Sequence, residues 1–277
     1  MSSTTVDPTA GPAVDPAVDL GPQPSAATVL ARTCRAEWSR LWTVRSTWWF
    51  ALATAVTVLG LGLVLGIDVS DAPPDELPEG TAWRGGSITS TFGLYGLLAL
   101  CAVAATADHA TGGIVPTLQA TPRRHVLVVA RTVVVVAFAT LLGSLVVAGS
   151  SVIVLGFAPE MGLPVDVGTD FLADVAYVYA ASTLLAVGTG LLVRNTAGSL
   201  VAVLGAMLVL PLMLALLPFQ WAVDAAGLLP GTGAMRLLAG EAPVPLSATA
   251  AGVTLGVWAA VAVVAGAVRL VHSDADR

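Results

Sequence analysis

Few side chains in this chain are suited to chemistry, and their spacing excludes most kinds of it. The histidines are His109, His125 and His272, all at the edges of apolar runs. No His-Glu-x-x-His or Gly-x-Ser-x-Gly pattern occurs, so neither a zinc-activated water nor a nucleophilic serine is set up. Lysine is absent altogether, so a Gly-x-x-x-x-Gly-Lys-[Ser/Thr] phosphate loop cannot exist here. Cys34 falls in a segment expected to be cytoplasmic, and Cys101 lies inside an apolar run. Neither has His or Cys at ligand spacing, and the compartment argues against a disulfide. No catalytic, cofactor-binding or metal-binding residue is therefore assigned. Any ATP the protein uses is expected on another chain.

What remains are two stretches where charge, aromatic rings and turn residues gather. The first covers residues 26–46. Leu30, Cys34, Trp38, Leu41 and Trp42 recur at helical spacing, with Arg32, Arg35, Arg40, Ser39 and Thr43 towards the other side. That pattern suits an amphipathic helix lying in the membrane interface, or a cytoplasmic helix packed on protein. The second stretch runs from Asp108 to Arg124. It passes an acid at a membrane edge, the Gly112-Gly113 turn, a short apolar segment and Pro122-Arg123-Arg124. Pro122 suits the start of a helix, and the two arginines suit anionic headgroups. This loop is read as a topological connection with basic anchors, or as a surface on which a cytoplasmic motor pushes.

The elements that must position these stretches are apolar. Hydrophobic residues make up 56% of the 277, charged residues only 11%, and the mean hydropathy is +0.86. A soluble domain carries about a quarter charged residues. Six apolar runs follow the first stretch, near 48–67, 88–107, 126–157, 171–193, 197–218 and 246–268. Each reaches the ~20 residues needed to cross ~30 Å of hydrocarbon. Helices satisfy their own backbone hydrogen bonds in lipid, so the expectation is an all-α membrane protein with six transmembrane helices. Pro211 is a candidate kink in the fifth run. Asp108, Arg131 and Asp174 lie near run ends, where snorkelling or solvation is expected. Mid-run hydroxyls such as Thr54, Thr140, Ser144, Ser150, Ser151, Ser182, Thr183 and Thr189 are expected to bond between helices, with Gly60, Gly62, Gly66, Gly188 and Gly190 as packing notches.

Arginine placement orients the bundle. Arg32, Arg35, Arg40 and Arg45 precede the first run, Arg123, Arg124 and Arg131 lie around the start of the third, Arg194 follows the fourth and Arg269 the sixth. Only Arg84 and Arg236 fall in the alternate, acidic loops. The positive-inside rule puts both termini in the cytoplasm, and the protein is expected in the plasma membrane. Residues 1–25, rich in Pro and Asp, read as a disordered cytoplasmic tail, and 271–277 as a short C-terminal one. The net charge of −6 and the lack of a basic stripe argue against a nucleic-acid partner.

Two stretches carry a family resemblance. Residues 35–49 contain Glu37-Trp38, the basic Arg40, Leu41 and Arg45-Ser46-Thr47-Trp48 entering the first span. Residues 108–131 contain Asp108, Gly112, Ile114, Leu118, Pro122-Arg123-Arg124 and Arg131. Together with six spans, these resemble the permease subunits of ABC-2-type exporters, particularly the actinobacterial branch; Leu229 to Ala234 is similar more weakly. Asp108 stands where Glu is common, Gly113 where Thr is usual, and Arg40 and Arg131 where Lys is common. The resemblance implies a permease domain over 47–270, an interfacial helix before it, and re-entrant or short outer helices between the fifth and sixth spans, for which Gly227 to Pro245 is a candidate segment. It also implies a second permease copy or paralogue and separate ATP-binding subunits. Glu37, Trp38, Arg40, Arg45, Asp108, Gly112, Pro122, Arg123 and Arg124 would be the ATPase-coupling residues. Two other classes stay open on the residues alone: a non-transporting membrane scaffold or anchor, and an ion-coupled secondary carrier, which the uncharged run centres disfavour. The transported substrate is not encoded in any motif.

Overall fold

A computed structural model of the protein describes residues 25–71, 81–110 and 124–272. The tail assigned to residues 1–25 lies outside the described residues apart from Ser25, as do the acidic stretch 72–80, the connection 111–123 and residues 273–277. The described residues form helices α1 (Ala26–Thr43), α2 (Arg45–Asp71), α3 (Trp83–Ala110), α4 (Arg124–Phe157) and α5 (Val165–Val193). A fifth long unit follows: α6 (Thr196–Leu204), a π turn (Gly205–Val209) and α7 (Leu210–Ala215). Two short helices, α8 (Gln220–Gly227) and α9 (Pro230–Ala239), lead to α10 (Ala248–His272). Six of these units are long and apolar enough to cross a bilayer: α2, α3, α4, α5, α6–α7 and α10. The chain is thus an all-α, multi-pass membrane protein. The helices overrun the apolar runs by several residues, because their ends continue helical into the interface.

α3, α4 and α5 form the centre. α2 packs on α3 and α4, and α10 packs on α5. Leu97, Leu98, Val135, Val147, Tyr179 and Leu191 are fully buried there. Lipid gives no hydrophobic drive for helix association, so close packing of small residues must supply it. A Cβ on Gly188 of α5 would come within 2.5 Å of the backbone of Ala262 and Val263 in α10. One on Gly66 would come within 2.7 Å of the Phe157 ring, and one on Gly62 would overlap the Ser150 hydroxyl. Gly60 departs from the expected notches: it is exposed, with nothing within 4 Å of an added Cβ.

Several of the mid-run hydroxyls also depart from expectation, though Ser150 does bond between helices. Thr54, Thr183 and Thr189 donate to the carbonyls of Phe50, Tyr179 and Leu185 in their own helices at 2.6–2.8 Å. A carbonyl one turn back is always in reach, whereas a partner on another helix depends on register. Bonds that do cross between helices include Thr89 Oγ1 to Ser150 Oγ at 3.1 Å, the Thr106–Thr196 hydroxyl pair at 2.8 Å, Tyr179 Oη to the Ser90 carbonyl at 2.8 Å and Tyr177 Oη to the Gly252 carbonyl at 2.7 Å.

Pro211 acts through hydrogen bonding. It has no N–H, so the Met207 carbonyl four residues back loses its helical partner. The chain bulges ahead of it into the π turn, where the Leu210 N–H reaches back to the Gly205 carbonyl. The Met207 carbonyl oxygen then lies where a Cβ on Gly231 would fall, so only glycine fits at that point of α9. Gly233 similarly abuts the Ala251 carbonyl of α10, at 2.6 Å for an added Cβ. Pro230 to Ala234 are all buried between these neighbours. α8 and α9 both lie between the fifth and sixth spans, where short outer helices are expected, although α8 begins ahead of the Gly227–Pro245 segment singled out for them.

Candidate functional site: a buried four-charge cluster

Ser25 caps α1 by accepting the Thr28 N–H at 3.2 Å. The helix then places Thr33, Glu37 and Leu41, four residues apart, on one buried face. That face packs on α4. It is not the face that hydropathy alone selects, because Trp38 and Trp42 flank it and are 44% and 48% exposed. Trp38 meets Phe138 of α4 edge-on, with centroids 6.0 Å apart.

Glu37 points at Arg131, two turns into α4. Arg131 Nη2 donates to Glu37 Oε1 at 3.0 Å, and its Nε lies 3.3 Å from both carboxylate oxygens. Arg131 Nη2 also donates to Asp108 Oδ2, near the end of α3. Arg40, one turn after Glu37, closes the ring. Its Nε donates to Glu37 Oε2 at 3.1 Å, its Nη1 to Asp108 Oδ1 at 2.8 Å and its Nη2 to the Ala104 carbonyl at 2.9 Å. Two acids and two arginines cancel. The side chains of Arg131 and Glu37 are 2% and 6% exposed, those of Asp108 and Arg40 14% and 22%, so the cluster is open to water at its Arg40–Asp108 edge.

Arg131 and Asp108 therefore correct the expectation of snorkelling. Both turn inward and pair, because a charge within a span is held by opposite charge and hydrogen bonds when other helices offer them. Asp174, in contrast, is exposed as expected.

α1 meets α2 at a sharp elbow. Val44 is extended, with φ −82° and ψ 116°, which ends α1 at Thr43 and moves Arg45 and Ser46 into the first span. The last carbonyls of α1 lack helical partners. Trp48 Nε1 donates to one of them, that of Trp42, at 3.0 Å, and the two indoles meet edge-on at 4.8 Å.

Of the residues assigned from sequence, the fold brings Glu37, Arg40 and Asp108 into one cluster. Trp38 sits on its exposed flank, Arg45 is exposed at the start of α2, and Arg124 is the first residue of α4. Gly112, Pro122 and Arg123 lie outside the described residues. Sequence reasoning left Arg131 out of the site. The available signal was an arginine two turns inside an apolar run, which demands a carboxylate.

The cluster is not a centre for bond-making chemistry. Each carboxylate is engaged by guanidinium groups, which stay charged at any physiological pH. Among the described residues no three His, Cys, Asp or Glu side chains gather as metal ligands. What the cluster can do is mechanical. It fastens α1 to the end of α3 and the start of α4, the two helices that flank 111–123. Buried ion pairs contribute little net stability, but removing one member leaves an uncompensated charge, which penalises any other arrangement. No protein-family model matches the chain, and no curated protein matches it.

Proposed function

We propose that this chain is the membrane-spanning permease subunit of an ATP-binding-cassette exporter, similar to the ABC-2 type. A separate cytoplasmic ATPase would drive it, and it would work beside a second copy or a paralogue. The observation that carries this reading is the Glu37–Arg40–Asp108–Arg131 cluster. It joins α1 to both helix ends bordering the 111–123 connection. A partner pressing on that connection would therefore move α1, α3 and α4 together rather than bend one loop. Glu37 and Asp108 act in this reading by transmitting force, not by touching the partner. The arginine distribution supports placing this end in the cytoplasm. The absence of lysine supports an ATP site on another chain.

Co-expression with a phosphate-loop ATPase subunit tests the proposal. The expected result is co-purification and ATP-dependent transport or drug resistance, with Glu37→Gln retaining ATPase binding but losing transport. No co-purification and no ATP-dependent transport would sink it. Transport that survives ATP depletion but collapses with the proton gradient would instead indicate a secondary carrier. A cysteine placed in 72–80 should react with impermeant reagent from outside the cell; a cytoplasmic result overturns the orientation.

A further inference from the structure

Around the axis of α1 each residue advances by about 100°. Thr33, Glu37, Arg40 and Leu41 form the sector facing the protein. Trp38 and Trp42 share the next sector, and both are exposed. Arg32, Arg35, Ser39 and Thr43 occupy the rest, all exposed, with Arg35 on the border beside Trp42. Past the elbow, Arg45 and Trp49 stand one turn apart on the exposed face of α2, with Trp49 70% exposed. The Trp42–Trp48 contact joins the two helices into one surface. Among the described residues Arg32, Arg35 and Arg45 have no ion-pair partner. The cluster on one side and the Trp48 hydrogen bond at the end fix the roll of α1, so these sectors cannot exchange places.

We propose that this elbow surface binds anionic phospholipid. Arg32, Arg35 and Arg45 take headgroup phosphates, and Trp38, Trp42, Trp48 and Trp49 seat at the boundary with the acyl chains. Guanidinium groups match phosphate oxygens bidentately, and indoles prefer the level where water meets hydrocarbon. An acidic protein surface would satisfy the arginines but leave an apolar tryptophan sector unmatched. A bilayer bearing negative headgroups satisfies both sectors at once, with the arginines on the water side of the rings. The proposal needs only a spanning protein and holds whatever the chain transports.

The test uses the full chain in phosphatidylcholine nanodiscs doped with brominated phosphatidylglycerol or, at equal mole fraction, brominated phosphatidylcholine. Each guanidinium contact enriches the anionic lipid locally by about fivefold. Trp83, Trp221 and Trp258 lie outside the elbow and dilute the signal equally in both lipids. The expected tryptophan quenching by the brominated anionic lipid is therefore about twofold or more above that by the neutral one. Salt should remove the excess, and R32Q/R35Q/R45Q should abolish it. Equal quenching by the two lipids in the wild-type chain overturns the proposal. So does an excess that resists salt, an arm needing no variant to fold. If the triple variant loses a co-purifying ATPase while its lipid quenching stays unchanged, the surface belongs to a protein partner and the proposal is likewise overturned.

Discussion

Replacing Glu37 by Gln keeps the shape of the side chain but leaves the cluster with one uncompensated positive charge. Glu37 receives hydrogen bonds from Arg131 Nε, Arg131 Nη2 and Arg40 Nε at 3.0–3.3 Å, and its side chain is 6% exposed. Removing one partner of a fully buried pair costs about 3–5 kcal/mol. Arg40 and Asp108 are partly exposed, so water screens one edge and the lower figure of about 2–3 kcal/mol applies. That loss falls on the docking of α1 rather than on the whole bundle, because the spans pack through residues far from the cluster. The chain carries its own probe: Cys34, half-buried on α1 one turn before Glu37, and Cys101, fully buried in α3. About 2–3 kcal/mol corresponds to roughly 30- to 150-fold more open α1, since ~1.4 kcal/mol is a factor of ten. Cys34 is already partly accessible, which reduces the observed rise to about tenfold in maleimide labelling rate. Cys101 should stay unlabelled. Arg131→Met should behave alike, and the double variant should be milder than the two losses summed, because no lone charge remains. Unchanged Cys34 labelling in both single variants would refute the claim that the cluster holds α1.

Trp48→Phe removes the indole donor from the Trp42 carbonyl while keeping a ring, at a cost of about 1 kcal/mol; after the same discount for Cys34's existing accessibility its labelling should rise about twofold or less, below the Glu37→Gln effect. Gly188→Ala forces a methyl into the backbone of α10 and should destabilise by about 1–3 kcal/mol or more. Gly60→Ala, with open space around it, should stabilise by about 0.5–1 kcal/mol; unfolding in a denaturing detergent series compares the two. Pro211→Ala returns an N–H that can bond the Met207 carbonyl, so hydrogen exchange at 205–211 should change from that of a π turn towards that of a regular helix; an unaltered pattern would mean that proline is not the cause of the bulge.

Much of the fold was legible because lipid imposes simple demands. A run of about 20 apolar residues has almost no option but a helix, so the six spans follow from composition and length alone. Proline gave a warning at 211, though its effect is a π turn because the neighbouring Gly231 admits the freed carbonyl. The segment singled out for short outer helices begins at Gly227, past the start of α8, since a helix of eight residues leaves little periodic signal. Thr54, Thr183 and Thr189 were misjudged, unlike Ser150, because a hydroxyl's partner depends on which helix lies opposite, and single-sequence periodicity does not reveal that.

By itself the sequence determined the number and type of spans, the amphipathic helix ahead of them and the arginine asymmetry between loops. Those properties reside in local composition, where the solvent for each segment decides its state. Only the tertiary structure decided which face of α1 is inward. Hydropathy favoured the tryptophans, but Glu37 takes the buried side because Arg131 and Asp108 await it, 94 and 71 residues further along the chain. A carboxylate can be buried only where opposite charges converge, and that convergence comes from the packing of α1, α3 and α4.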